Sequence, residues 1–564
     1  MARTVAIGIQ DFADLRKENY FYIDKTNFIR EWWESGNSVT LITRPRRFGK
    51  TLNINMLEKF FSVNYANRTD LFEGLSIWKY EEYRQLQGTY PVINLSFANV
   101  KENNYTTARQ RINLILTNLY SKFAFLRKSD ILTEEDRDFL KRISVDMNDN
   151  DAAMALHQLS KFLYQYYGKK VIILLDEYDT PMQEAYVCGF WEEMVSFIRS
   201  LFNSTFKTNE YLARALMTGI TRVSKESIFS DLNHLKVVTT TSDDYATSFG
   251  FTEEEVFAAL EEYGLSQEKK KVKEWYNGFL FGTHTDIYNP WSIINFLDTK
   301  KYDSYWANTS SNSLVSKLLR EGNKNTKLIF EALLRGESVS CMVDEQIVYS
   351  ALDGNETAIW SLLLASGYLK VKEKETEKIA GKKLKYKLCL TNGEVLDMFY
   401  CMVHDWFGWS EGNYNDFIRA MFRDDIEEMN AYMNRVTRDV FSYFDTGKNV
   451  EAEPERFYHG FVLGLMIDLM GEYVLTSNRE SGFGRYDVML EPVDKSKNAM
   501  ILEFKVHNKR KESSLEETVA TALEQIEEKQ YEASLIAKGF KKEQIHCYGF
   551  AFEGKNVLIG SREE

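Results

Sequence analysis

The chain has 564 residues, of which 44% are hydrophobic and 14% aromatic, and its formal net charge is -13. This length exceeds one ordinary domain and predicts about three or four packed domains, while the apolar content excludes extended disorder. The net negative charge argues against non-specific coating of nucleic acid, although one domain can still carry a local basic groove.

Cysteine and histidine positions give no sign of a metal or disulfide framework. The five cysteines have no CxxC spacing and the seven histidines form no ligand pair, which favours reduced thiols. The N-terminal stretch MARTVAIGIQDFADLRKENY has no apolar signal core, and no apolar run is long enough to span a membrane. We therefore expect a cytoplasmic protein with no membrane partner.

The first candidate site follows the apolar run VTLIT at residues 39–43, which predicts a strand. The sequence continues as RPRRFGKT and then as LNINMLEKFF, which has helical spacing. A phosphate-binding loop needs this strand–turn–helix order, with Gly49 where the backbone approaches phosphate, Lys50 as the cation and Thr51 as the hydroxyl for Mg²⁺. Arg44 replaces the usual first glycine, so a surface turn is the alternative.

A second apolar run reinforces the nucleotide site. PVINLSF predicts one strand, and VIILLDEYDTP at residues 171–181 predicts a central parallel strand that ends in two carboxylates. At the carboxyl end of such a strand, Asp176 would hold Mg²⁺ through water and Glu177 would polarise the attacking water. The alternative is a buried strand followed by solvated acids.

A further strand is predicted at ARALMTGIT, from Ala213. Thr218 and Thr221 at its end could place a hydroxyl near the γ-phosphate, and Arg222 follows closely. Equally, the threonines could simply end the strand. Helical patterns such as FWEEMVSFIRSLF separate the strands, so the order is βαβ and the fold class is α/β.

Several motifs together resemble one family: TRPRRFGKT, LLDEYDTP, FYIDKT, TGITRVSKESIFSDLN, FGFTEEEV, and WYNGF followed by IYNPWSI. They look like the bacterial and archaeal AAA-ATPase-like proteins that carry a C-terminal PD-(D/E)XK nuclease domain. The resemblance implies an ATPase core of the additional-strand, Glu-bearing type, in which a basic loop is usual. Arg46 and Arg47 would then either neutralise phosphate charge or pair with acids elsewhere on the surface.

The resemblance and the distribution of prolines divide the chain into five segments. They are an AAA-ATPase-like P-loop domain at 1–250, a helical lid at 251–338, a winged-helix-like module at 339–405, a helical connector at 406–453 and a nuclease-like αβββα domain at 454–564. The module at 339–405 runs as helix, strand, charged hairpin tip, strand and helix. It contains no strongly basic helix, which favours packing over DNA binding.

The C-terminal segment carries a second candidate site. Glu503 and Lys505 lie two apart in the predicted strand NAMILEFKV, so they project from one face. Antiparallel pairing through a turn centred near Lys495 would set Asp487 opposite Glu503, so that two carboxylates can share a divalent ion. Alternating acid and lysine also occurs on solvated strands, but the apolar flanks favour a core strand.

The resemblance adds details to this second site. It implies that Gln525, on the following helix, supports the active site, with Tyr531 further along the chain. Asp487 and Glu503, with the backbone carbonyl of Phe504, would hold Mg²⁺ or Mn²⁺, and Lys505 would assist the chemistry.

These observations predict an ATP-hydrolysing protein coupled to a divalent-metal-dependent nuclease. ATP and Mg²⁺ are the expected cofactors. Nucleic acid is the expected partner, with DNA favoured, in nucleic-acid processing or defence. A homo-oligomer is left open. The alternative is an ATP-dependent signalling or assembly switch whose nuclease fold is catalytically inert.

Overall fold

The computed structural model describes most of the chain. The described residues are 2–221, 229, 232, 234–307, 313–322, 324–343, 355–374, 385–406, 413–444, 464, 469, 471–477, 480–481, 484–485, 487–508, 511–553 and 556–562. They form two compact units, residues 1–315 with 336–397, and residues 316–335 with 398–564.

A five-stranded parallel sheet organises the first unit. Its strands are β1 (Val39–Thr43), β2 (Val92–Ser96), β3 (Val171–Asp176), β4 (Leu212–Gly219) and β5 (Leu235–Val238). The spatial order is β2-β3-β4-β1-β5, so β4 is inserted between β1 and β3. Every residue of β1 and β3 is buried, as their continuous apolar runs predict for strands covered on both faces.

Nine helices accompany this sheet in the described part of residues 1–250. They are α1 (Phe12–Lys17), α2 (Asn27–Glu34), α3 (Lys50–Phe61), α4 (Glu81–Leu86), α5 (Tyr105–Lys122), α6 (Glu134–Arg142), α7 (Asp149–Tyr167), α8 (Thr180–Cys188) and α9 (Trp191–Phe202). Asn104 and Asn148 cap α5 and α7 by accepting a backbone N–H, which satisfies donors that a helix leaves open. Trp32 of α2 and Phe60 of α3 belong to one core cluster with Leu174 of β3.

The segment at 251–338, which was predicted as a helical lid, contains strands as well as helices, and its assignment as a lid stays a prediction. It contains α10 (Glu253–Glu262), α11 (Lys269–Tyr276), α12 (Pro290–Thr299), α13 (Ser313–Glu321) and α14 (Lys324–Leu334). It also contains a small antiparallel sheet in the order β6-β8-β7, formed by β6 (Phe251–Thr252), β7 (Asn277–Phe281) and β8 (His284–Tyr288).

The hairpin of β7 and β8 follows from its sequence pattern. Burial alternates along β7, where Phe279 and Phe281 point inward, and this period of two is that of a strand. Gly278 at φ 127° and Gly282 at φ 60° adopt backbone conformations that residues with a Cβ rarely take.

The segment at 339–405 contains the predicted helix, strand, strand and helix in that order, preceded by a strand that was not predicted. Its elements are β9 (Val339–Met342), α15 (Glu356–Ala365), β10 (Leu369–Lys374), β11 (Lys385–Leu390) and α16 (Gly393–Trp406). The three strands form an antiparallel sheet in the order β10-β11-β9, and α15 packs against β9 and β10. The predicted hairpin tip at 375–384 lies outside the described residues. Assignment of this segment as a winged helix stays a prediction.

The second unit is built on a mixed sheet in the order β12-β15-β16-β17-β18. Beyond residue 406 its described elements are α17 (Asn413–Phe422), α18 (Ile426–Phe444), β12 (Tyr473–Ser477), β13 (Glu480–Ser481), β14 (Gly484–Arg485), β15 (Val488–Pro492), β16 (Ala499–Val506), α19 (Leu515–Glu528), α20 (Ala533–Ala537), β17 (Ile545–Glu553) and β18 (Asn556–Ser561). The predicted αβββα order is thus extended by β17, which pairs parallel to β16, and by β18. The predicted first helix at 455–470 falls almost entirely outside the described residues.

Two asparagines of α18 cover the edge strand β18. Asn430 exchanges two hydrogen bonds with the backbone of Ile559, at 2.7 and 2.8 Å, and Asn434 does the same with Val557, at 3.0 and 2.7 Å. These amides pair backbone groups that an edge strand otherwise exposes.

Across the described residues, we find no helix with both the length and the apolar content needed to cross a membrane.

Candidate functional site

The phosphate-binding loop lies between β1 and α3, as its sequence predicts. Gly49 immediately precedes α3 with φ 78°, and a Cβ built there would meet nothing within 4 Å. Glycine is therefore favoured at this position by backbone conformation rather than by lack of space. Lys50 and Thr51 form the first turn of α3.

Arg44, in place of the usual first glycine, has a structural role. Its side chain is fully buried and donates to the carbonyl oxygens of Thr43 at 2.9 Å and Thr239 at 2.7 Å. The guanidinium also lies 4.5 Å from the ring centroid of Phe281. Burial lowers the pKa of Arg44 to about 9. The residue that replaces the usual glycine is thus a buried cation, which hydrogen-bonds the loop to neighbouring backbone.

The residues expected to hold Mg²⁺ are brought together by the sheet. Thr51 Oγ1 donates to Asp176 Oδ2 at 2.6 Å, and Thr218 Oγ1 donates to the other oxygen of the same carboxylate. Asp176 and Thr218 lie at the ends of the adjacent strands β3 and β4. Because parallel strands end at the same sheet edge, the inserted strand carries Thr218 to the site.

Lys50 lies inside the loop. Its Nζ donates to the carbonyl oxygens of Arg44 at 3.0 Å and Pro45 at 2.8 Å. Burial lowers the pKa of Lys50, and the carboxylates of Glu177 and Asp176 oppose that shift. The lysine is therefore held by acceptors that an anionic phosphate can replace.

Glu177 leaves the strand in a left-handed conformation, with φ 51°. Its Oε2 accepts a hydrogen bond from Thr180 Oγ1 at 3.2 Å, and the residue is partly exposed. This conformation is uncommon for a residue with a side chain and directs Glu177 differently from the buried Asp176 that precedes it.

Asp179, which sequence reasoning did not single out, connects the same two strand ends. Its Oδ2 accepts from the N–H of Ile220 at 3.0 Å, the N–H of Thr221 at 2.8 Å and Thr221 Oγ1 at 2.9 Å. Its Oδ1 is buried and has no hydrogen-bond partner among the described residues. A Cβ on Gly219 would lie 2.6 Å from that oxygen, so the carboxylate needs the glycine. The signal was present in DEYDTP, where Asp179 is a third acid.

The structure shows one contact of Arg47 and places Arg46 near Lys50, while both roles expected of these loop arginines stay predictions. The Arg47 guanidinium carbon lies 4.3 Å from the ring centroid of Trp291, so this side chain packs on an aromatic ring. Arg46 lies near enough to Lys50 to lower its pKa. Arg222 lies outside the described residues.

In the second unit, the predicted strand register is observed. Val488 pairs with Leu502 and Leu490 with Met500, which places Asp487 beside Glu503 at the end of the ladder. The N–H of Phe504 donates to Asp487 Oδ2 at 2.9 Å. Glu503 is only 3% exposed, and burial, followed by the charge of Asp487, raises its pKa to about 8.

A hydrogen-bonded chain connects β16 to α19 beside these carboxylates. Lys505 Nζ donates to Gln525 Oε1 at 2.6 Å, and Gln525 Nε2 donates to Glu503 Oε1. Gln525 Nε2 also lies 3.0 Å from the hydroxyl of Tyr531. The four side chains that the sequence and the resemblance suggested therefore lie in one cluster with Asp487.

The donor set at this cluster fits a divalent cation. Glu503 Oε2 is buried and accepts no hydrogen bond from the described residues. Burial and the charge of Asp487 outweigh the opposing charge of Lys505 in raising the pKa of Glu503, so the pair of acids would gain from a further cation. No group of three or more His, Cys, Asp or Glu suited to a metal was found among the described residues, so Asp487 and Glu503 would need ligands of other kinds.

Comparison with known proteins agrees with the two-part architecture. Residues 6–229 match the family model described as predicted AAA-ATPase, and residues 453–562 match that of the PD-(D/E)XK nuclease superfamily. An uncharacterized protein in the vnfD 5′ region of Azotobacter chroococcum mcd 1 is 25% identical over 395 residues, which cover 70% of this chain and 68% of that protein.

Proposed function

Because the chain joins an AAA-ATPase-like region to a domain of the PD-(D/E)XK nuclease superfamily, we propose that it binds and hydrolyses ATP and cleaves nucleic acid, with DNA favoured. The observation that carries the nuclease half is the cluster of Asp487, Glu503, Lys505 and Gln525 around one buried, orphaned carboxylate oxygen. An inert fold has no need to keep a buried acid in this state, which costs stability. Nucleic-acid processing or defence is the biological setting we propose.

At the ATP site, each residue has a distinct task. Lys50 moves from loop carbonyl oxygens to phosphate oxygens, and the N–H groups that begin α3 surround the phosphates. Thr51 and Asp176 would hold Mg²⁺, which neutralises phosphate charge when bound. Glu177 accepts a proton from the attacking water, and Thr218 fixes the Asp176 carboxylate. Arg46 is placed near Lys50 to add positive charge.

At the nuclease site, Asp487 and Glu503 would hold Mg²⁺ or Mn²⁺, which activates water and stabilises the charge on the scissile phosphate when bound. Gln525 holds Glu503 and Lys505 in place through its two amide atoms. Lys505 presents its ammonium to the reacting phosphate or orients the water. Phe504 N–H fixes the orientation of the Asp487 carboxylate.

One assay tests the whole proposal. Labelled single- and double-stranded DNA and RNA are incubated with the full chain and Mg²⁺, with and without ATP, while phosphate release is followed in parallel. We expect ATP hydrolysis and cleavage of at least one nucleic acid. The rate of cleavage should change when ATP is added. Hydrolysis or binding of ATP with no cleavage of any substrate would favour the alternative of an ATP-dependent switch with an inert nuclease fold.

A further inference from the structure

The backbone carbonyl of Arg46, in the middle of the phosphate-binding loop, accepts hydrogen bonds from two remote side chains. Asn289 Nδ2 donates to it at 3.2 Å across 243 positions, and Trp306 Nε1 donates at 2.9 Å across 260 positions. Asn289 is fully buried and Trp306 is 3% exposed. Two buried donors from the segment at 289–306 therefore hold one peptide group of the loop.

The planarity of that peptide group fixes what lies on its other side. The carbonyl of residue 46 and the N–H of residue 47 point in opposite directions, because the bond is trans. The N–H of Arg47 is thus directed away from Asn289 and Trp306, and we find no acceptor for it among the described residues. Phosphate-binding loops direct such N–H groups at phosphate oxygens.

The neighbouring loop residues are anchored to the same region. Arg47 has φ 65°, an uncommon conformation for arginine, and its guanidinium packs over Trp291. Phe48 is fully buried, with its ring centroid 4.7 Å from that of Phe279 in β7. The loop therefore rests on β7 and α12 rather than standing alone.

Asn289 is itself held rigidly by the helix that it caps. Its Oδ1 accepts the N–H of Trp291 at 2.9 Å at the start of α12, which leaves Nδ2 aimed at Arg46. One amide thus joins the helix N-terminus to the loop.

Trp306 is fixed by a buried acid. Its backbone N–H donates to Glu394 in the first turn of α16, and Ser292 Oγ donates to the same carboxylate at 2.9 Å. The indole ring packs 5.3 Å from the ring of Phe279. Its N–H therefore has one preferred direction, toward the Arg46 carbonyl.

We infer that Asn289 and Trp306 are positioning residues of the ATP site, which act by turning the Arg46–Arg47 peptide so that the Arg47 N–H faces the phosphates. The inference rests on the proposed binding of ATP at this loop. The affinity for ATP then depends on two residues that do not touch the nucleotide.

Trp306→Phe and Asn289→Ser test this in the full chain. Phenylalanine keeps an aromatic ring without the indole donor, and serine keeps a capping oxygen without the amide donor. Trp275→Phe is the matched control for the first change, and Asn104→Ser, at the cap of α5, is the control for the second. ATP binding is measured by calorimetry with Mg²⁺, and thermal unfolding is measured without nucleotide.

Each variant should weaken ATP binding roughly three- to tenfold, the scale of one lost hydrogen bond, with an unchanged number of sites per chain. Both controls should keep the wild-type Kd. A merely structural role would instead lower the melting temperature and the number of competent sites while the Kd of the folded fraction stayed the same, and that result overturns the inference. If Asn289→Ser does not fold, Trp306→Phe decides alone. A wild-type chain that binds no ATP would refute the proposed function itself.

Discussion

Thr51 Oγ1 and Asp176 Oδ2, which are 125 positions apart in the chain, lie 2.6 Å from each other. This contact joins the first turn of α3 to the carboxyl end of β3, and Thr218 closes the group from β4. The arrangement fits the proposed role of these residues in holding Mg²⁺ beside the phosphates. It makes the ATP site the first target for mutation.

Lys50→Ala and Glu177→Gln should separate binding from hydrolysis. Lys50→Ala removes the phosphate cation and should weaken ATP binding, whereas Glu177→Gln should keep binding and stop turnover, because an amide cannot act as a base. Calorimetry and phosphate release measure the two effects. Hydrolysis at the wild-type rate by Glu177→Gln would show that Glu177 is not the base.

Arg44→Gly, which restores the usual glycine pattern of such loops, should destabilise the protein. It removes the donor to the carbonyl oxygens of Thr43 and Thr239 and leaves a buried cavity. Hydrogen bonds from a charged donor contribute about 1.5–3 kcal/mol each and the cavity adds to their loss, so the destabilisation should reach several kcal/mol. Thermal unfolding measures it, with the exposed Arg68→Gly as the control. An unchanged or higher melting temperature would contradict the structural role of Arg44.

Glu394 should make the stability of the first unit depend on pH. Burial raises the pKa of Glu394 from 4.5 to about 7, so the folded chain holds a proton that the unfolded chain loses. The free energy of unfolding should therefore fall by roughly 3 kcal/mol as the pH rises from 4.5 to 7. Above pH 7 this contribution should stay level. The negative charge of Asp303 also raises the pKa of Glu394, and Asp397 accepts a hydrogen bond from Ser304.

Glu394→Gln provides the measurement. The difference in free energy of unfolding between wild type and this variant should shrink or reverse between pH 5 and pH 8, since glutamine does not titrate. A difference that is constant across this range would mean that Glu394 keeps one protonation state when the chain folds.

Lys505→Ala should slow cleavage on the order of a hundredfold while metal binding remains, because the lysine acts on the reacting phosphate or water rather than on the metal. Gln525→Ala should give a smaller loss, since it only holds Lys505 and Glu503. Lys497→Ala, an exposed lysine paired with Glu472 in the same unit, is the control. Cleavage rates at saturating Mg²⁺ decide between these roles, and a wild-type rate in Lys505→Ala would remove it from the site.

The strands β1 and β3 could be predicted from the sequence because each is an almost wholly apolar run, and β4 and β16 could be predicted from the shorter apolar runs within them. The register of β15 and β16 also followed from the position of the turn, and with it the proximity of Asp487 and Glu503. Both predictions rest on residues that are close in the sequence, where burial and strand geometry determine the pattern of apolar and polar residues directly.

The parts that could not be predicted depend on contacts between distant residues. Nothing in the loop sequence shows that Arg44 is buried against Thr239, or that Asn289 and Trp306 donate to Arg46. Asp179 appeared as one more acid after a strand, because its partners Ile220 and Thr221 directly follow a different strand, β4. The hairpin of β7 and β8 was missed because the resemblance suggested a helical lid, although its alternating burial is a strand pattern.

Binding of Mn²⁺ by wild type and by Asp487→Ala, measured by calorimetry in the absence of ATP beside a cleavage gel, tests the nuclease claim most directly. We expect Asp487→Ala to lose a metal site and all cleavage while it keeps wild-type ATP affinity. Glu472→Ala, which removes an exposed acid of the same unit, should change neither property. Equal Mn²⁺ affinity in wild type and Asp487→Ala, or wild-type cleavage that persists in a metal chelator, would contradict a metal-dependent nuclease centred on Asp487 and Glu503.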